Sequence, residues 1–252
     1  MKELLIRADD LGFSEGTNYG IAKSVTDGII RSVGLMPNMP SAAHGFGLIK
    51  DTNVCLGQHT NICVGRPLTE PDRIPSITQE NGEFKSSSEY RNAKEDFVVL
   101  DEVILEIEAQ YERFVEITGR QPQYFEGHAV ASNNFFRGLQ MVAERHGLDY
   151  LDFHMGPEPI RFGKRGLRMY MDSMNPDYEP FESLKKALEV EQDTDVVPMF
   201  VCHPGYLDAY ILQKSSLTLP RPMETEMLCS RQVREYLREH GVLVVTYEDM
   251  KG

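Results

Sequence analysis

An adjacent pair of carboxylates, Asp9 and Asp10, and three separate histidines, His59, His128 and His203, are the side chains with which this 252-residue chain could do chemistry. One carboxylate with two imidazoles makes a facial set for a divalent ion and leaves coordination positions open for water and substrate. An ion held that way lowers the pKa of bound water and polarises a carbonyl oxygen. Two neighbouring carboxylates allow one to ligate while the other takes a proton from the attacking water. His203 sits in Cys202-His203-Pro204-Gly205, a turn that exposes an imidazole where it can protonate a leaving nitrogen or oxygen. Singly, each residue has a plain structural reading as a turn, a cap or a hydrogen-bonded histidine. Their shared position sets them apart.

Each of them follows a segment that reads as a strand. Leu4–Ala8 is a buried apolar run before the aspartates, Asn53–Gln58 ends at His59, Tyr124–Phe125 leads to His128, and Val196–Cys202 ends at His203. Further strands are expected over Ser32–Met36, Leu148–Phe153 and Val242–Thr246. Helices are expected over Glu15–Thr26 with Ser14 as N-cap, over Lys94–Thr118, near Asn134–His146, over Phe181–Val190 and over Ser230–His240. His44, His146 and His240 fall on helices or helix ends, and His154 follows a strand-like stretch without a clear role. Alternation of this kind implies an α/β fold with a largely parallel sheet, curled into a (β/α) barrel-like, irregular TIM-type arrangement. In such a sheet the C-terminal strand ends share one face, so residues distant in sequence converge there.

The formal net charge of -13 argues against nucleic acid and acidic membrane surfaces as partners and suits a small uncharged substrate. Hydrophobic residues at 41% and charged residues at 26% describe a globular domain with a real core. The start of the chain lacks an apolar run of signal-peptide length, and no stretch has the length of a membrane span. Four scattered cysteines give neither a disulfide framework nor a thiolate zinc site. Residues 1–252 are therefore expected to form one cytoplasmic domain. The Pro-, Ser- and Gly-rich stretch Gly65–Arg91 reads as a long arm that covers the site or packs on a partner subunit.

Several spaced segments carry a resemblance: IRADDLGFSEGTNYGI, LGQHTNICVGRPLT, FEGHAV, VCHPGY and the closing RQVREYLREHGVLVVTYEDM. In this order they resemble the YdjC/ChbG family of carbohydrate deacetylases, over nearly the whole chain. The resemblance implies a barrel-like fold related to polysaccharide deacetylases and removal of an N-acetyl group from an N-acetylated sugar or chitooligosaccharide. It implies one divalent ion, Mg²⁺ by resemblance although the donor set also suits Zn²⁺, held by Asp10, His59 and His128. By the same resemblance Asp9 is the general base, His203 the general acid, and a homodimer is expected. The family usually has an aspartate two residues before the second histidine, where this chain has Glu126, read as an acceptor that orients an imidazole. It often has a further histidine where this chain has Val130. Two other functions compete: a barrel hydrolase or isomerase acting on a phosphorylated sugar, for which Gly163-Lys164-Arg165-Gly166 is the only phosphate-anchor candidate, and a non-catalytic sugar-binding protein.

Overall fold

Strand β1 (Lys2–Leu11) carries the sheet because it is apolar on both faces and has three parallel neighbours. Its Leu4, Ile6 and Ala8 belong to the outer apolar layer beneath the helices, whereas Leu5 belongs to the layer inside the curl. In this computed structural model, which describes residues 2–154, 156, 158–189 and 195–251, β7 (Val196–Cys202) lies along one edge of β1. Along the other edge β8 (Val242–Val245) pairs with Lys2–Leu5, and β2 (Ser32–Leu35) pairs further on, from Arg7 to Leu11. β3 (Cys55–Thr60) and β4 (Phe125–Gly127) extend the sheet beyond β2, and β6 (Arg165–Tyr170) and β5 (Ile160–Phe162) extend it beyond β7.

The sheet is curled and α/β, and it departs from a regular eightfold (β/α) alternation in two ways. β5 and β6 form an antiparallel hairpin, and β8 contacts β1 without separating it from β7. Among the described residues the outer edges meet through isolated bridges, Tyr150 with Phe125 and Asp152 with Arg161. The strand expected over Leu148–Phe153 is reduced to these two contacts. Gly163 and Lys164 form the tight turn of the hairpin, with Gly163 at φ 56°, and Arg165 pairs with Glu3 at 2.6 Å. That segment is a sheet edge and not a helix N-terminus shaped for phosphate.

The helices lie outside the sheet. α1 (Glu15–Thr26) begins where Ser14 accepts the Thr17 N–H, and α5 (Asn133–His146) where Ser132 accepts that of Phe135. α4 (Leu100–Thr118) starts later than its apolar period suggests, since Asp96 is drawn away to Ser132 and the Asn134 N–H. α2 (Ala42–Ile49), α7 (Ala209–Lys214) and α8 (Pro220–Cys229) complete the shell with α6 (Pro180–Glu189) and α9 (Arg231–Glu239). The expected end of α6 at Val190 lies outside the described residues. Among the described residues no helix is long and apolar enough to cross a membrane.

The arm after Gly65 folds back onto its own chain. Ile74, Ile77, Phe84 and, on the short helix α3 (Ser87–Asn92), Tyr90 join Val103 and Ile107 of α4 in a second apolar cluster. Buried Glu106 accepts the N–H groups of Leu68 and Thr69, which pins the start of the arm.

Candidate metal centre

The site begins with a local irregularity in β1. Ala8 pairs with Val33 and Leu11 with Leu35, so three steps of β1 oppose two of β2 and a bulge falls at Asp9–Asp10. In a regular strand adjacent side chains point to opposite faces. Here Asp10 takes φ 74°, a left-handed conformation that aspartate tolerates better than most residues, and the bulge re-aims its carboxylate. Among the described residues the other non-glycine with positive φ is Ala129, directly after His128. The strained backbone is concentrated beside the candidate ligands.

The structure brings Asp10, His59 and His128 together. Asp10 Oδ1 lies 3.3 Å from His59 Nε2 and 3.1 Å from His128 Nδ1, and the two nitrogens are 2.9 Å apart. Asp10 Oδ1 is buried and has no hydrogen-bond partner. Ligand atoms held ~2.0–2.2 Å from one ion lie about 3 Å from each other, so the three atoms fit a divalent ion. The second nitrogen of His59, Nδ1, contacts Glu126 Oε1. A proton on that nitrogen leaves Nε2 with its lone pair toward Asp10, the tautomer that ligation requires. Gly34 makes this possible, because a Cβ there would stand 2.9 Å from Glu126 Oε1 and 3.0 Å from His59 Cβ.

Asp9 is held apart from that triangle. Arg7, two residues earlier on the same inner face, contacts Asp9 Oδ1 at 2.6 Å and Oδ2 at 2.7 Å, and reaches Glu126 Oε2 at 3.3 Å. Tyr247 accepts a further bond from Arg7 at 3.0 Å. The structure thus separates the two aspartates: one faces two imidazoles, the other a guanidinium. Asp9 also approaches His59 and Glu126 in a second group of ligand-type atoms, but Arg7 already occupies its oxygens.

His203 follows β7 at the same end of the sheet. Its N–H donates to Glu224 Oε2, and its carbonyl receives Arg221 at 3.5 Å. Its Nδ1 is buried without a partner. Burial lowers the His203 pKa to about 4, against the opposing pull of Asp10 and Asp9. The ring is neutral at neutral pH and must gain a proton before it can give one. Burial would also lower His128, but the Asp10 carboxylate and Cys63 together outweigh it and raise that ring to about 9.

Three charged groups of the site are absent from the sequence-based set: Arg7, Arg221 and Glu224. Arg7 had a signal, a cation inside an apolar strand with the i, i+2 spacing that puts it on the face of Asp9. Arg221 and Glu224 lie on α8, whose sequence PRPMETEMLC gives no chemical hint. Val130 is buried in the second apolar cluster. His44, His146, His154 and His240 are not among the residues brought together.

Comparison with known proteins adds four findings. A profile of the YdjC-like protein family matches residues 3–239. "Carbohydrate deacetylase 2" of Listeria innocua is 30% identical over 260 residues, covering 98% of each chain. Among solved structures, an Enterococcus faecalis protein named for cellobiose-phosphate cleavage superposes with a TM-score of 0.86 at 22% identity, over 100% of this chain and 99% of its own. A CE4 domain of a multidomain xylanase from the hindgut metagenome of the termite Trinervitermes trinervoides superposes with a TM-score of 0.52 at 9% identity, over 99% and 89%. These last two describe a shared fold.

Proposed function

The chain belongs to the YdjC-like protein family, and from that premise we propose that it is a metal-dependent deacetylase that removes the acetyl group of an N-acetylated sugar or chitooligosaccharide. The observation that carries this reading is the approach of Asp10 Oδ1, His59 Nε2 and His128 Nδ1 to within about 3 Å of one another, with Asp9 and His203 close by. The name of the Listeria relative supports the substrate class. Asp10, His59 and His128 would hold a divalent ion; two imidazoles suit Zn²⁺, and the resemblance implies Mg²⁺. Bound there, it supplies a lowered pKa for water and positive charge for a carbonyl oxygen.

The protein's own groups handle the protons. Asp9 accepts the proton of the attacking water, and Arg7 holds the carboxylate in one orientation for that transfer. His203, neutral at rest, takes up a proton that came from the attacking water and passes it to the departing nitrogen, so that water and an acetamide become acetate and an ammonium group. Glu126 orients His59. We read residues 1–252 as a single domain of the opened-barrel type acting in the cytoplasm.

Release of acetate from N,N′-diacetylchitobiose, with metal removed by chelation and then restored, tests the reading. Metal-dependent release is expected. Binding of the sugar without release in any metal would favour a non-catalytic sugar-binding protein, and turnover of a phosphorylated sugar without acetate would favour the isomerase or phosphosugar hydrolase.

A further inference from the structure

The main chain around His203 is held by α8 and not by the sheet. The ladder of β7 with β1 ends at Cys202, opposite Ala8, and that with β6 ends at Phe200, opposite Tyr170. The N–H groups that follow lie beyond the acceptors of the sheet, where an unpaired buried donor is costly. α8 supplies the acceptors instead. Glu224 Oε2 takes the His203 N–H, and Pro204 has none to offer. The Gly205 N–H is shared by Thr225 Oγ1 at 2.8 Å and the Arg221 carbonyl at 3.3 Å. On its other side the turn is pressed against α1, where a Cβ on Gly205 would stand 3.1 Å from Thr17 Cα.

Glu224 is itself fully buried and fixed at both oxygens. Oε1 accepts from the Tyr178 hydroxyl at 2.7 Å, and Tyr178 belongs to the segment between β6 and α6. One carboxylate thus ties the end of β7, α8 and the approach to α6 at a single point. The tie matters because of what the imidazole lacks. A histidine that moves protons is ordinarily oriented by a group bonded to its second ring nitrogen. In His203 the buried Nδ1 has no hydrogen-bond partner among the described residues. The direction of the ring therefore follows from where its main chain is held.

We propose that Glu224, steadied by Tyr178, is the positioning residue of His203 and aims its imidazole at the departing nitrogen through the main chain. The role of His203 rests on the deacetylase reading; the hold on its ring does not. Magnetic resonance of the full-length protein, isotope-labelled at histidine, reads the ring. Glu224→Ala and Tyr178→Phe are expected to shift the His203 ring signals, and Glu224→Gln, which keeps an oxygen for the N–H, to leave them near the wild-type position. Kinetics read the consequence. On N,N′-diacetylchitobiose Glu224→Ala is expected to lose ~10-fold or more in kcat at unchanged KM and metal content, and Glu224→Gln to stay within ~3-fold of wild type. On p-nitrophenyl acetate, whose phenolate leaves without a proton, both should match the wild type. Should Glu224→Ala not fold, Tyr178→Phe carries both measurements, with a loss of ~3-fold expected on the amide alone. Unmoved His203 signals in the variants, or equal losses on amide and ester, would overturn the proposal. Shifted signals in a protein whose wild type releases no acetate from the disaccharide would uphold the positioning and remove the deacetylase reading instead.

Discussion

Arg221 donates a 2.7 Å hydrogen bond to Asp10 Oδ2 across 211 residues of sequence, while Asp10 Oδ1 faces His59 and His128. The two oxygens of one carboxylate therefore do different jobs. Burial by itself would raise the Asp10 pKa, but Arg221 and His128 hold it well below the ordinary carboxylate range. The aspartate stays charged in a place where an isolated charge would be costly.

Arg221→Met should leave Asp10 buried with half of its compensation gone. A loss on the order of 3 kcal/mol in urea denaturation is expected, together with at least ~10-fold weaker metal binding. Wild-type metal affinity in this variant would show that the pair serves stability alone.

His59→Ala is expected to abolish metal binding and activity together, because it removes one of three ligands and the partner of Glu126. Asp9→Asn should retain the metal and lose turnover, since Asp9 lies against Arg7 and outside the ligand triangle. Elemental analysis and acetate release on the same preparations separate the two outcomes. Full metal occupancy in His59→Ala would defeat the ligand assignment.

Glu224 gives a pH dependence with a definite sign. Burial raises its carboxyl to about 7, against the bonds it accepts from Tyr178 and from the His203 N–H. A carboxyl raised in the folded state and near 4.3 when unfolded favours folding fully at low pH, and that contribution is lost as pH rises through about 7. The loss is on the order of 3 kcal/mol between these limits. Glu224→Gln keeps an oxygen for the His203 N–H and should flatten the profile; denaturation midpoints measured from pH 4 to 8 for both proteins check it.

Gly34→Ala places a methyl group 2.9 Å from Glu126 Oε1 and 3.0 Å from His59 Cβ. The protein should still fold, because the rest of β2 is untouched, but His59 must shift. A drop in metal affinity of ~10-fold or more with an unchanged far-ultraviolet circular dichroism spectrum is the expected result.

Strand ends were legible where apolar runs abut a charged residue: β7 leads into His203 as the sequence predicts, whereas β1 and β3 run on past the expected ends, so that Asp9–Asp10 and His59 lie within their last residues. α1 matches residue for residue, because Ser14 and the periodicity mark both ends. The β5–β6 hairpin was missed because Ile160–Tyr170 alternates poorly, with Arg161, Lys164, Arg165 and Arg168 among its apolar residues. α8 was missed because its opening Pro-Arg-Pro reads as loop, although proline is well suited to the first turn of a helix. The distinction between Asp9 and Asp10 came from the family resemblance and not from the residues themselves. It depends on a bulge set by the pairing of β1 with β2, which is a tertiary fact.

The position of β1 also bears on how the chain reaches its native state. Its partners β7 and β8 begin 194 and 240 residues after Lys2, counting from positions 196 and 242. During synthesis β1 emerges before both and waits for them, with an apolar edge open until β8 has appeared. Such distant pairing folds slowly and leaves early intermediates prone to self-association. Truncations from the C-terminus would therefore strip the first strand of a neighbour and the aspartate of Arg221, so a shortened chain is expected to lose its fold and its metal site in one step.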